Sequence, residues 1–277
     1  MAAEPGNPQT LPTQRISGAV RVAGHFGELL QGRLGPEGPV ALVTLPCPPL
    51  AAEAARRPGP LALHQSALVL PPGQFGSFLR ALGAAPEGCF RLRLEMPLGG
   101  GAGASTAARV ALAHAAGVTD PTVVARACLA SEGASDPLMF PAPGRLLWAS
   151  REARVLAELP PLPEMEILGG FFGPPRRTDP ADGNFAVIDD LVSDWQSAPD
   201  LAGFAALASA SARRCLTRRG PEDDPTPALA AALGAAGFAI AHTGSARALI
   251  FAPGNVPRGA EERLAAAGFR QILRYRL

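Results

Sequence analysis

Residues 96–109, Met-Pro-Leu-Gly-Gly-Gly-Ala-Gly-Ala-Ser-Thr-Ala-Ala-Arg, are of the types that bind a phosphate group. Pro97 opens a run in which Gly99, Gly100, Gly101 and Gly103 carry no side chain, so the main chain can approach an anion closely. Ala104, Ser105 and Thr106 follow at the start of a helical stretch. The first N–H groups of a helix have no intrahelical acceptor, and its dipole favours negative charge there. The flanks fit this chemistry. Phe90, Leu92, Leu94 and Met96 alternate with Arg91, Arg93 and Glu95, the period of a strand with one buried face. Residues 105–116 are helix formers, with Val110, Leu112 and Ala113 on the apolar side and Gly117 as a stop. An ordinary glycine-rich turn is the alternative reading of the same residues.

The elements around this unit mix α and β. Strands are expected at residues 19–23, 40–45 and about 61–70. Asp120 as N-cap and Pro121 at the first helical position start a helix that reaches about Ser131 and ends before Gly133. Residues 135–144 are rich in turn formers, and a strand is expected at 145–149. Beyond the Pro-rich residues 159–163, a strand at 166–172 precedes a helix at 184–196, with Phe185, Ile188, Leu191, Val192 and Trp195 at helical spacing. A helix at 200–216 follows, then helix, strand, strand, helix and a final strand at 270–275. There is no internal repeat. Phe185 and Trp195 read as packing, since no basic face surrounds them as a base-stacking platform would require.

Composition narrows the function class. The 277 residues, 47% apolar and 18% charged, can bury a substantial core and suit two domains. A net charge of +1 gives no reason to expect a nucleic-acid or membrane partner, which leaves a small-molecule site. All 25 basic residues are arginine. Without lysine there is no Schiff-base chemistry and no Walker A lysine. Cys47, Cys89, Cys128 and Cys215 are scattered without zinc-ligand spacing, so reduced thiols and a cytoplasmic location are expected. Residues 1–15 read as a disordered tail and not as a signal peptide. Residues 225–246 lack acidic and basic side chains, but their prolines, glycines and His242 break them into short elements and argue against a membrane span.

Three segments carry a resemblance to a known family. They are Gly24-His-Phe-Gly-Glu-Leu-Leu-Gln-Gly32, Pro97-Leu-Gly-Gly-Gly-Ala-Gly-Ala-Ser-Thr-Ala107 and Gly237-Phe-Ala-Ile-Ala-His-Thr-Gly-Ser-Ala246, with Ser135-Asp136 and Met139-Phe140-Pro141 lying between the last two. In this order they resemble the motifs of the GHMP small-molecule kinases, and within them the L-threonine kinase branch of cobalamin synthesis associated with propanediol utilisation. The resemblance spans roughly residues 16–252. It implies an α+β fold of two domains, one like the second domain of ribosomal protein S5 over residues 16–158 and a ferredoxin-like one over residues 159–277. It also implies ATP and Mg²⁺ as cofactors and phosphorylation of free L-threonine. Homoserine or a sugar as substrate, or a degenerate ATP-binding regulatory protein, are the alternatives.

The resemblance further implies roles for single residues. Pro97, Gly99, Gly100, Gly101, Gly103, Ala104, Ser105 and Thr106 would cradle the phosphates, and Ser105 with Glu132 would face the magnesium ion. Helix capping is the other role open to Ser105 and Thr106. Asp136 would accept the proton of the substrate hydroxyl or hold that hydroxyl for attack, unless it only forms an Asx-turn before Pro137. Glu28 would take the substrate's amino group, with His25 and Gln31 in the same cavity and His242, Thr243 and Gly244 shaping its far side. Three positions depart from the family pattern: Ala104 replaces a serine, Gly100 a lysine and Ala102 a larger apolar residue. Arg21 or Arg247, or the metal alone, would then balance the triphosphate charge.

Overall fold

A computed structural model of the chain describes residues 18–198 and 200–277, so the tail expected at residues 1–15 lies outside the described residues. The described strands form one sheet in the order β10 (Arg270–Arg276), β7 (Glu166–Phe171), β9 (Ala246–Phe251), β8 (Gly237–Ile240), β1 (Val20–Arg33), β2 (Val40–Arg57), β4 (Cys89–Leu94), β3 (Ala62–Gln65), with β5 (Leu146–Ala149) paired to β2 and β6 (Arg154–Glu158) paired to β5.

β1 (Val20–Arg33) and β2 (Val40–Arg57) are long antiparallel partners, far longer than the strands expected at residues 19–23 and 40–45. Glycines that read as breakers are what allow β1 to continue. A Cβ at Gly24 would stand 2.4 Å from the Ala102 carbonyl oxygen, one at Gly27 2.7 Å from the Ala241 nitrogen, and one at Gly32 2.4 Å from the Ala186 oxygen. Glycine here marks close approach of another backbone, a use it also has inside strands. The β1–β2 register shifts between Ala23 and Gly24, between His25 and Glu28, and between Glu28 and Leu30. Such bulges re-aim side chains, and here they fall on the residues of the first motif.

β3 is only Ala62–Gln65, and a helix not expected from the sequence, α1 (Gln74–Ala81), follows it. β4 (Cys89–Leu94) leads through the glycine-rich loop into α2 (Ala104–Ala115). Small Ala107, Ala108 and Ala111 let α2 pack closely, and all three are fully buried. α3 (Pro121–Glu132) starts as expected, with the Asp120 carboxylate accepting from the Thr122 and Val123 amides. β5 (Leu146–Ala149) pairs with β6 (Arg154–Glu158), a strand not expected.

The second half has β7 (Glu166–Phe171), α4 (Asp189–Gln196), α5 (Leu201–Arg219), α6 (Thr226–Leu233), β8 (Gly237–Ile240), β9 (Ala246–Phe251), α7 (Ala260–Ala266) and β10 (Arg270–Arg276). Its strand order β10-β7-β9-β8 is the fourth-first-third-second arrangement of a ferredoxin-like βαββαβ unit. The helix expected at residues 184–196 begins only at Asp189, because the preceding residues run extended and Val187 bridges to Arg33. The main core joins Phe26, Leu30 and Phe90 to Ile167 and Trp195, while a second core gathers Leu168, Phe238, Phe251 and Leu264 on the other sheet face. Within the named strands the halves meet at Glu28 with Ile240, beside the Arg33–Val187 bridge. All four cysteines are free, and among the described residues no helix is long and apolar enough to cross a membrane.

Candidate active site

The glycine-rich loop is fastened by its carbonyls. Those of Gly101 and Ala102 accept from the Gly27 and His25 amides of β1 at 3.1 and 3.2 Å. That of Gly100 accepts from Ser245 and Ala246 at 2.9 and 2.8 Å, and that of Gly99 from Arg176 at 2.8 Å. Three parts of the chain thus grip one side of the loop, and the unpaired first-turn amides of α2 begin where it ends. Gly99, Gly101 and Gly103 have φ of 72°, 72° and 68°, a left-handed conformation that glycine adopts readily. A Cβ at Gly101 would lie 2.1 Å from the Ala241 Cβ, and one at Gly103 2.5 Å from His25 Cδ2. The glycines therefore answer to protein packing as well as to any anion.

The loop forms one wall of a cleft of about 360 Å³. Gly99, Gly101, Gly103, Ala104, Ser105 and Thr106 line it, and so do Glu132 and Asp136 from the α3 end and His25, Glu28 and Gln31 from β1. Thr243 closes the far side. Pro97, Gly100, His242 and Gly244 stand behind the wall. A Cβ at Gly100 would meet Pro97 Cγ at 2.8 Å, and one at Gly244 would meet the Gly101 nitrogen at 2.4 Å. His242 contributes its amide, which donates to Glu28 Oε2 at 3.0 Å. Burial, then the Arg219 and Arg247 charges, push its imidazole down to about 3, so it is neutral. Gln31 is buried and its Oε1 has no partner among the described residues, which leaves an acceptor for a ligand.

Asp136 is held from three directions. Its amide donates to Thr106 Oγ1 at 3.2 Å, the Trp148 indole donates to the neighbouring Ser135 carbonyl at 2.7 Å, and its carboxylate lies 3.3 Å from His25 Nε2. The carboxylate is engaged by His25, and Thr106 serves Asp136 where helix capping was the alternative. The other His25 nitrogen faces the Gly27 carbonyl at 3.1 Å and Glu28 Oε1 at 3.9 Å. Burial opposes the His25 charge, but Asp136, Glu28 and the Gly27 carbonyl outweigh it and raise the imidazole to about 9. Burial works against the Asp136 charge too, yet His25 and Thr106 hold its carboxyl below the usual range. Burial lifts Glu28 to about 7 against the pull of His25 and the His242 amide. Glu28, His25 and Asp136 thus form a row of acid–base groups along the cleft floor.

This row sets a pH dependence. A raised histidine stabilises the fold fully below its ordinary value of 6.5, and that contribution is lost as pH rises through about 9. Asp136, being depressed, contributes above its ordinary value and loses that contribution only as pH falls through its lowered one. The thermal midpoint is therefore expected to fall more steeply between pH 7.5 and 9.5 in the native protein than in a His25→Asn variant. Parallel melting curves over that window would contradict the ion pair.

Ser105 and Glu132 meet across the α2–α3 contact, where the Ser105 hydroxyl donates to Glu132 Oε1. Both are hard oxygen donors on the cleft, a pair that fits a magnesium ion whose remaining ligands are phosphate oxygens and water. Among the described residues no three His, Cys, Asp or Glu side chains converge on a metal position, so the phosphates would have to supply the rest. Arg109, one turn along α2, lies against the same two side chains, a position that its place in a helix does not reveal in the sequence.

The expected phosphate cations are corrected. Arg21 pairs with Glu95 at 2.7 Å, and buried Arg247 with Asp224 at 2.7 Å; neither lines the cleft. Arg151, Arg176 and Arg177 do. The last two lie in the segment joining β7 to α4, which crosses the cleft as a strap. Arg219 binds strap residue Asp182 at 2.6 Å, and strap residue Phe185 is flanked by the Arg151 and Arg219 guanidiniums, 5.5 and 4.9 Å from its ring centre. Adjacent arginines in Gly173-Pro-Pro-Arg-Arg-Thr178 were the available signal.

Several solved structures share this fold. A mevalonate kinase superposes with a TM-score of 0.64 at 10% identity, over 94% of this chain and 98% of that one. The L. major mevalonate kinase in complex with R-mevalonate gives 0.63 at 14%, over 97% and 98%. A 4-(cytidine 5'-diphospho)-2C-methyl-D-erythritol kinase gives 0.54 at 20%, over 93% and 98%. These neighbours are GHMP kinases, and the likeness over nearly the whole chain establishes the GHMP kinase fold. No protein-family model and no curated protein matches the chain in sequence.

Proposed function

We propose that this protein transfers a phosphoryl group from ATP to the hydroxyl of a small molecule, and that the molecule is L-threonine. The observation that carries the reading is one cleft in which a glycine-rich helix N-terminus faces a fixed carboxylate, Asp136. Phosphoryl transfer asks little covalent chemistry of a protein, so aligned donors and positioned charge supply most of the barrier lowering. The α2 first-turn amides take the phosphate oxygens, and Arg176 and Arg177 face them from the strap. Ser105 and Glu132 would hold the magnesium ion. When bound, that ion neutralises charge on the phosphates. Asp136 orients the attacking hydroxyl and receives its proton. Its lowered pKa makes it a weak base, which suits a loose transition state in which the proton leaves late.

Glu28 is the partner for the substrate ammonium, and Gln31 Oε1 a further acceptor. The first and third motifs support threonine over homoserine or a sugar, and a neutral sugar would offer Glu28, which already accepts from the His242 amide, no ammonium partner. The same reading divides the chain near residue 158. The test is incubation of the purified protein with Mg-ATP and L-threonine, L-homoserine or galactose, following ADP release with mass detection of products. The highest kcat/KM is expected for L-threonine. A higher value for either competitor leaves the kinase standing and removes threonine, while no ADP release with any alcohol removes the kinase.

A further inference from the structure

Arg109 is 2% exposed and its guanidinium lies behind the cleft wall, engaged through Nη1 and Nε. Nη1 donates to Ser105 Oγ at 2.6 Å and to the Ser105 carbonyl at 3.2 Å, and lies 3.0 Å from Glu132 Oε1. Nε donates to Ser131 Oγ at 3.0 Å. Ser105 and Arg109 are four residues apart on α2 and so share a helix face, which turns both side chains toward the end of α3. A fixed unit positive charge thus rests on the same serine oxygen and carboxylate oxygen that face the cleft as metal donors. Arginine keeps its charge at any working pH, and its planar fork is not easily displaced from partners it fits.

We infer that Arg109 closes the Ser105–Glu132 pair to a bare divalent cation, so that metal enters this site only as its nucleotide complex. A cation approaching alone meets a carboxylate already neutralised and a guanidinium directly behind it. One that arrives on a triphosphate brings its own negative charge, which offsets the repulsion from Arg109. The arginine therefore acts through Ser105 and Glu132 as a positioning residue and does not touch the reacting atoms. This inference rests on the kinase reading only in taking the nucleotide to be ATP.

The test uses Mn²⁺ as probe on the nucleotide-free protein, with free Mn²⁺ read by electron paramagnetic resonance. The native protein is expected to bind it weakly, and Arg109→Gln, which keeps a hydrogen-bond donor but no charge, roughly tenfold tighter or more. Added Mn²⁺ should also raise the melting temperature of Arg109→Gln and not that of the native protein, and Arg109→Gln with Glu132→Gln should lose the gain. A folded Arg109→Gln protein that binds Mn²⁺ no better than the native one overturns the inference. Should Arg109→Gln fail to fold, Arg109→Met, which keeps the unbranched stem without the charge, replaces it: Mn²⁺ binding should again tighten roughly tenfold, and native-like binding there also overturns the inference. None of these readouts needs turnover, so they are separate from the substrate assay.

Discussion

Replacing Asp136 with asparagine is expected to lower kcat by roughly two orders of magnitude or more while leaving ATP affinity unchanged, because a positioned proton acceptor contributes on that scale. The amide anchor to Thr106 Oγ1 survives the substitution, so the loop should keep its place. What changes is charge. The buried His25 imidazole loses the carboxylate 3.3 Å away that holds it protonated, and should become neutral near pH 7. The same variant thus carries a second signature, a downward shift of the His25 titration visible by NMR. Loss of kcat together with that shift supports a charged Asp136–His25 pair at the reacting hydroxyl. A kcat within a few-fold of native would reduce Asp136 to a loop-forming residue.

Gly101→Ala is expected to destabilise the protein by roughly 2–5 kcal/mol, combining left-handed backbone strain with overpacking. The added methyl would stand 2.1 Å from the Ala241 Cβ and 2.7 Å from the Thr243 carbonyl oxygen, and backbone cannot retreat as a flexible side chain can. Gly35 supplies the control, having a similar φ of 75° with nothing within 4 Å of its Cβ position. Gly35→Ala should cost only the strain, about 1–2 kcal/mol. Denaturant unfolding of the two variants isolates the packing contribution, and equal losses would show that the loop does not press on the β8–β9 turn as tightly as its geometry requires.

The loop and helix of the second motif were legible because their signals are local. Alternation in residues 90–96 gives the strand, glycines give the turn, and Asp120 with Pro121 gives the next helix start. β1 was not legible at its full length. Gly24, Gly27 and Gly32 punctuate a strand in sequence, and only the backbones of Ala102, Ala241 and Ala186, distant along the chain, explain why they belong inside one. Phe185 and Ile188 fit helical spacing with Leu191 and Trp195, yet Phe185 lies in the strap between two arginines. Arg109 shows the limit most plainly. An arginine inside a helix signals solvent by default, and its burial depends on Ser131 and Glu132, which arrive from another helix. The strap arginines were visible as a pair, but their side of the cleft is a property of chain crossing that periodicity does not carry.

The carbonyl grip on the glycine-rich loop has a thermodynamic consequence. A chain with two cores can ordinarily melt in two steps, one for each. Here the amides of His25 and Gly27, of Ser245 and Ala246, and of Arg176 all end on four consecutive carbonyls, so neither core can open without stripping partners from the other's fastening. The halves should therefore share one cooperative transition, with calorimetric and van't Hoff enthalpies in agreement. A nucleotide anchored on that loop would then lift the melting point of the whole molecule together, including strands on the far sheet edge that never approach the ligand.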